Sequence, residues 1–208
     1  MAINGFFNNF DLLIRWIHVI AGIVWIGHLY FFNFVNLQFQ TAIDDATKKI
    51  VNGPLVLRAL FWFRWGAMVT FIAGLILFTN TYMYTPGMGF GPTNFFRDID
   101  GLTGRATWIL LGMLFGTVMW VNVWFVIWPI QKAIFSGKFA GDALAAARKK
   151  AALASRVNTY LSGPMLFGML AAPHYGSFNL LTFIVFVVVA KLVIVFAYKL
   201  SPSVGKSV

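Results

Sequence analysis

Five long runs of apolar residues follow one another along the chain, separated by shorter polar stretches. The runs do not alternate between apolar and polar residues, so they predict helices rather than the strands of a membrane barrel. About 20 helical residues cross a hydrocarbon core of about 30 Å. We therefore predict an all-α integral membrane protein with a bundle of about five transmembrane helices, at residues 12–34, 57–78, 106–130, 157–172 and 180–200.

The composition agrees with a membrane location. Hydrophobic residues make up 60% of the 208 residues and charged residues only 11%, whereas an average soluble domain is about 25% charged. We predict a single transmembrane domain over residues 1–208 with the lipid bilayer as its main partner. The net charge of +10 does not indicate a nucleic-acid partner, because the basic residues lie at span ends and in loops, where they set topology.

The distribution of basic residues also predicts an orientation. The loops at 38–56 and 131–156 share one side with the C-terminal tail, and that side carries most of the Lys and Arg residues, including Lys206. The loops of the opposite side carry only Arg97 and Arg105. Basic loops face the cytoplasm. We predict that the N-terminus is outside and the C-terminus is cytoplasmic, in a bacterial inner membrane.

Two further sequence features limit the chemistry. The chain has no cysteine, which excludes iron–sulfur clusters and a covalent c-type haem, since the latter requires Cys-x-x-Cys-His. The stretch at 97–101, Arg-Asp-Ile-Asp-Gly, contains the Asp-x-Asp-Gly spacing with which a calcium-binding loop begins. The chain contains no Glu to complete that loop, so we expect a plain external turn.

Three histidines are the main candidates for chemistry. His18 and His28 both lie in the first predicted span, ten residues apart, which is about 15 Å along one helix, so they cannot bind the same metal ion. His174 follows the fourth span at a depth that matches His18. A histidine pair from two helices could hold a non-covalent b-type haem. The alternative is that His18 bonds to a backbone carbonyl and His174 is an exposed loop residue, while His28 is interfacial.

The cations within or next to the spans form a second group. Asp11 precedes Arg15 by one helical turn, so we expect those two side chains to pair. Arg64 lies close enough to the cytoplasmic end to snorkel. Lys191 is eight residues from Lys199, which is about 12 Å along the helix. Because it is a cation inside a predicted span, it requires neutralisation, a polar cavity or an anionic ligand. We expect interhelical hydrogen bonds from the remaining polar residues of the apolar stretches: Asn33, Thr81, Thr117, Asn122, Asn158 and Ser162.

The segment at 15–27, Arg-Trp-Ile-His-Val-Ile-Ala-Gly-Ile-Val-Trp-Ile-Gly, closely resembles the start of the membrane domain of the PuuD-type urate hydroxylase family. Further similarities lie at 31–35, 62–66, 122–129, 155–159 and 164–167, with His174 downstream. The resemblance implies a multi-helix membrane module associated with urate oxidation and electron delivery to cytochrome c. Longer members carry a c-type cytochrome domain, and we expect this chain, which ends at Val208, to be a short member without it.

The resemblance implies that His18 and His174 are redox-site residues and that Arg15 and Arg64 support them. Our leading hypothesis is a membrane redox protein that binds b-type haem through His18 and His174, with Arg15, Arg64 and Lys191 offsetting propionate charge. It would pass electrons between a partner and a quinone or a separate cytochrome c. The alternatives are a urate-oxidising membrane enzyme that uses a separate cytochrome, and a non-enzymatic accessory subunit or transporter of a larger membrane complex.

Overall fold

The structure is a computed structural model that describes residues 2–205, without the side chains of residues 2–4, 6 and 7. Lys206, which contributes to the predicted charge bias, lies outside the described residues. The described chain is almost entirely helical, as the sequence predicts. Short two-stranded hairpins occur in the connection between the third and fourth helices of the chain.

The first half of the fold is a helical hairpin. Helix α1 (Ala2–Tyr30) continues through a π-helical turn (Phe31–Asn36) into the short α2 (Leu37–Ala42). Helix α3 (Asp45–Tyr82) then returns along α1. Asp44 caps α3 by accepting a hydrogen bond from the backbone N–H of Thr47, 2.7 Å away, and this bond lowers the pKa of the carboxyl group.

The second half repeats this arrangement. Helix α4 (Gly104–Val121) continues through a second π-helical turn (Asn122–Ile127) into α5 (Trp128–Phe135), and α6 (Gly141–His174) returns. Helix α7 (Leu180–Leu200) follows and ends in a short 3₁₀ turn (Ser201–Ser203). The chain therefore forms two hairpins of the same design and one additional helix.

The connection between α3 and α4 contains two small antiparallel hairpins. Strand β1 (Tyr84–Thr85) pairs with β2 (Gly89–Phe90), and β3 (Arg97–Asp98) pairs with β4 (Gly101–Leu102). The β3–β4 turn is closed by Asp98, whose carboxylate accepts a bond of 2.9 Å from the N–H of Asp100. Gly101 has a φ of 120°, a backbone conformation that residues with a side chain rarely adopt. The acidic stretch is thus a tight external turn, as expected.

Four segments of the described chain are long and apolar enough to cross a membrane: Asn8–Ala42, Asp45–Tyr82, Gly104–Phe135 and Leu180–Ser203. They contain four of the five predicted spans. The other one, residues 157–172, forms part of α6, which is not apolar enough to qualify. The reason is that α6 buries polar residues, Asn158, Thr159 and Ser162, against its neighbours instead of showing apolar residues to lipid.

The helices pack as two close pairs, α1 with α3 and α4 with α6, and contact between the pairs is sparse. Helix α7 packs mainly on α6. Small residues bring α4 and α6 together: a Cβ on Gly168 would lie 2.8 Å from the backbone nitrogen of Gly112, so only glycine fits there. The seam between the two pairs is the structural feature that shapes the site described below.

Polar residues fasten the elements together near the π-helical turns. Asn158 is fully buried, accepts a bond of 2.8 Å from Asn122 and donates one of 2.9 Å to the carbonyl of Met119. Asn33 donates to Ser155 and accepts from Tyr198 of α7, both at 2.8 Å. These bonds confirm the expected interhelical role of the three asparagines. Ser162 contributes as well, through Tyr30, at 2.8 Å.

Candidate functional site

The site is built around His18 on α1. Its Nδ1 atom lies 2.8 Å from the backbone carbonyl oxygen of Thr70 on α3. A carbonyl oxygen can only accept a hydrogen bond, so Nδ1 carries a proton, and in the neutral imidazole Nε2 then keeps its lone pair. An imidazole held in this way is oriented like a metal ligand, because ligating histidines commonly donate their other N–H to a carbonyl or carboxylate.

Helix α3 leaves room for this imidazole at Gly74. A Cβ on Gly74 would lie 3.0 Å from Cε1 and 3.3 Å from Nδ1 of His18, which is tighter than ordinary van der Waals contact. Thr70 and Gly74 are one turn apart and lie on the same face of α3. One residue therefore orients the ring through its carbonyl group, and the other gives the ring its space.

His18 lines a cavity of about 50 Å³ in the seam between the two helix pairs, which is room for a few water molecules. The pair α1–α3 contributes His18 and Trp25 together with residues of α3. The pair α4–α6 contributes the opposite wall, which contains three thioethers. The full lining is His18, Trp25, Thr70, Phe71, Gly74, Leu75, Met113, Gly116, Thr117, Met165 and Met169.

Met165 lies across the cavity at the depth of the imidazole. Phe71 stacks on Trp120 with ring centroids 4.4 Å apart, which aligns α3 with α4. About one turn further toward the β-hairpin end, Gly74 contacts the imidazole on one side. On the other side, a Cβ on Gly116 would lie 3.8 Å from Cγ of Met165. A nitrogen donor and a sulfur donor thus face the seam from opposite helix pairs.

Trp25 adds a polar group to the same cavity. Its side chain is 2% exposed, and its indole Nε1 has no hydrogen-bond partner in the described chain. Most buried donors are satisfied, and one that is not costs about 1–3 kcal/mol. The Nε1 atom is itself enclosed by protein atoms, so it reaches a ligand or water acceptor only where neighbouring groups move.

His174 does not lie with His18. It is the last residue of α6, it is exposed, and it does not line the cavity. Nine residues separate it from Met165, which is about 13 Å along the helix. The expected depth match came from ending the fourth span at residue 172, whereas α6 continues helically to His174.

The two histidines of α1 have different surroundings. The Nδ1 atom of His28 lies 2.7 Å from the carbonyl oxygen of Val24, one turn earlier on the same helix, and His28 does not line the cavity. Arg15 is exposed and forms the expected salt bridge with Asp11, at 2.9 Å. Arg15 therefore lies one turn from His18 with its charge already paired.

Arg64 lies in an aromatic cage rather than in the cavity. Its guanidinium carbon is 3.7 Å from the ring centroid of Trp128 and 5.8 Å from that of Trp124. Phe61 and Trp65 lie at 5.8 Å and 6.0 Å. Cation–π attraction at such distances stabilises a cation to which residues 2–205 offer no carboxylate partner. The cage joins two of the sequence stretches noted above, 62–66 and 122–129, which sequence reasoning did not place together.

Lys191 also lies away from the cavity. It is exposed on α7 and has no hydrogen-bond or ion-pair partner within residues 2–205. Of the five residues predicted for the site, the structure places His18 in the cavity and the other four outside it. The cavity residues that sequence reasoning missed are Thr70, Gly74, Trp25 and the three methionines, whose residue types are common in any apolar helix.

Comparison with known proteins gives one match. No curated protein and no solved structure matches the chain. The sequence model of the urate oxidase N-terminal family matches residues 5–57 and 93–200, which is most of the chain. The matched ranges contain His18 and the three methionines of the cavity, whereas Arg64, Thr70 and Gly74 fall between the two ranges. The chain belongs to the urate oxidase N-terminal family.

Proposed function

We propose that this urate hydroxylase-related membrane domain is a redox module that binds b-type haem at His18. The observation that carries the proposal is the bond between Nδ1 of His18 and the carbonyl of Thr70, 2.8 Å long, which leaves the lone pair of Nε2 unused in a neutral imidazole that lines an apolar cavity. A buried neutral imidazole with a fixed tautomer is a suitable axial ligand for haem iron.

The donor set of the cavity fits such a group. His18 would supply one axial ligand, and a methionine of the opposite wall, with Met165 at the matching depth, would supply the other in place of His174. When bound, haem would supply one-electron transfer. The protein would hold the imidazole orientation through Thr70 and exclude water with the apolar walls.

A porphyrin is larger than a cavity of about 50 Å³, so binding requires the two helix pairs to move apart. The sparse contact between the pairs permits this movement. In contrast, each pair is held internally by backbone-close packing such as that of Gly112 against Gly168. We propose that the pairs move as units and that the planar group enters edge-on along the seam.

We also propose that α6 crosses the membrane with the other four helices, with the N-terminus outside and the C-terminus in the cytoplasm of a bacterium. The support is that both ends of the predicted span 157–172, which lies within α6, are beside ends of other predicted spans. Trp108 at the start of α4 donates a 3.1 Å bond to the carbonyl of Ser177, just after α6. At the other end, Asn33 bonds to Ser155 of α6.

Electrons would pass between a membrane partner and a quinone or a separate cytochrome c. Urate oxidation at the cavity itself has less support, because the residues that line the cavity include no Arg or Lys to bind the urate anion.

The experiment is an absorption spectrum of the detergent-purified protein, oxidised and then reduced. We expect a Soret band in both states and sharpened visible bands on reduction. Reoxidation by an added quinone or by cytochrome c would then identify the acceptor. His174→Ala should leave the spectrum unchanged. A preparation with no Soret band, even after reconstitution with haem, would refute the proposal.

A further inference from the structure

Lys191 occupies an unusual position that the redox site does not explain. It lies in α7, the most apolar of the four candidate spans, and only 6% of the most apolar window of that span is buried inside the protein. The lysine side chain is exposed, and none of the described residues pairs with it. A charged side chain at such a position is costly in lipid.

The depth of Lys191 makes escape to either membrane surface difficult. It is eleven residues from Leu180 and eight from Lys199, or about 16 Å and 12 Å along the helix. Helical side chains tilt toward the helix N-terminus, which for Lys191 is the more distant end. The ammonium group is therefore directed away from the nearer membrane surface, and snorkelling satisfies it poorly.

Lys191 lies at the edge of the surface that α7 leaves free of other helices, because Ile194 and Tyr198, three and seven residues further along, face the rest of the protein. Helix α7 meets α6 through Ile194, which is 5% exposed, and through Ala190, whose Cβ fills the space beside Gly163. Ile184 and Val188 lie on the same side of α7 as Lys191 and are 48% and 49% exposed. This stripe, 184–188–191, is an apolar surface that ends in one cation. We refer to it as the Lys191 face.

A second copy of the chain cannot supply the missing anion. The chain has no Glu, and its six acidic residues are Asp at 11, 44, 45, 98, 100 and 142, none of them at the middle of a span. Anionic lipid phosphates lie at the membrane surface and not at this depth. Charge complementarity therefore requires a different membrane protein.

We propose that the Lys191 face binds a transmembrane helix of another protein, which carries a carboxylate at mid-depth that pairs with Lys191. Ile184 and Val188 pack against that helix, and the ion pair fixes its depth. This inference is independent of the redox proposal, because neither Lys191 nor its stripe touches the cavity.

The test uses fluorescence energy transfer between labelled protein and a synthetic Leu-rich transmembrane peptide in phosphatidylcholine vesicles. We expect the peptide with a central Glu to bind about five- to thirtyfold more tightly than its Gln counterpart, since one membrane-buried polar contact is worth about 1–2 kcal/mol. Lys191→Leu should abolish the difference between the peptides, and Lys199→Leu, which removes a cation near the end of the same helix, should preserve it.

Charge reversal keeps the test decisive if one variant folds poorly. Lys191→Glu should no longer bind the Glu peptide and should instead bind a peptide with a central Lys. Far-UV circular dichroism checks that the helices of this variant remain. Equal binding of the Glu and Gln peptides to the unmodified protein would overturn the proposal. The proposal would also be overturned if Lys199→Leu abolished the difference between the two peptides as Lys191→Leu does, or if anionic lipid displaced the peptide.

Discussion

His18 and His28 lie on the same helix and make the same kind of hydrogen bond, yet their surroundings differ. Each points Nδ1 at a backbone carbonyl, at 2.8 Å and 2.7 Å respectively. For His28 the carbonyl belongs to Val24, so the bond is local to α1. For His18 the carbonyl belongs to Thr70 on α3, and the ring lines the cavity of the seam.

The comparison shows that a satisfied histidine is not by itself a structural one. A hydrogen bond at Nδ1 explains why either imidazole is tolerated in an apolar helix. What separates the two residues is where the second nitrogen lies: only His18 lines the cavity, opposite a wall with sulfur donors. The predictions below exploit this pair, from the largest expected effect to the smallest.

The largest effect is expected from Gly74→Leu. A side chain at this position would collide with the imidazole, because the Cβ alone would lie 3.0 Å from Cε1 of His18. We expect haem content, measured by pyridine haemochrome assay, to fall to the level of a variant without the histidine. Gly27→Leu is the matched control beside His28, where an added Cβ meets nothing within 4 Å, and it should retain haem. Haem retained at Gly74→Leu would contradict the assigned ring position.

A smaller effect is expected from Met165→Leu, which keeps the volume of the side chain and removes its sulfur. Thioether ligation raises the reduction potential of haem. We expect the variant to keep its haem and to show a lower midpoint potential and an altered oxidised spectrum in redox titration. Met113→Leu and Met169→Leu are the controls from the same wall. A shift of the midpoint potential in one of these controls, with none in Met165→Leu, would identify that methionine as the second ligand instead.

Much of the fold follows from the chain's hydrophobic pattern, and α6 shows where that pattern stops being informative. Four spans are long apolar runs that face lipid, so hydropathy detects them. Helix α6 lies between α4 and α7 and buries Asn158 and Ser162. The mean hydropathy of α6 is lowered by polar residues that hydrogen-bond to other helices. In a single sequence, such residues cannot be distinguished from the polar residues of a loop.

The site was predictable in part. His18 is conspicuous as a polar residue in an apolar run, and the Arg15–Asp11 pair follows from helical spacing. Thr70 acts through its backbone carbonyl and Gly74 through the absence of a side chain, so neither has a sequence signal. The structure does not bring His174 to the cavity, because depth counted along one helix does not say how far α6 extends beyond the cavity.

Arg64→Gln tests the aromatic cage around Arg64. Sequence reasoning proposed snorkelling, whereas the guanidinium carbon lies 3.7 Å from the ring centroid of Trp128 inside the aromatic cage. We expect the free energy of unfolding in mixed micelles to fall by about 0.5–2 kcal/mol through loss of cation–π attraction. Arg15→Gln, which breaks an exposed salt bridge, should cost at most about 1 kcal/mol. The reverse ranking would mean that the cage contributes little.

The smallest effect is expected from His28→Ala. Its one hydrogen bond lies within α1, and a typical net contribution is about 0.5–1.5 kcal/mol. We expect a modest loss of unfolding free energy, measured in the same micelles, and no change in the absorption spectrum. A spectral change would place His28 in contact with the redox group and remove the distinction on which the site rests.

The most direct test of the central claim is the haem-to-protein ratio of His18→Ala and His28→Ala, purified side by side with the unmodified protein. The account predicts that His28→Ala retains the full ratio and that His18→Ala retains none, with both variants equally helical by circular dichroism. A full ratio in His18→Ala, or equal loss in both variants, would contradict it.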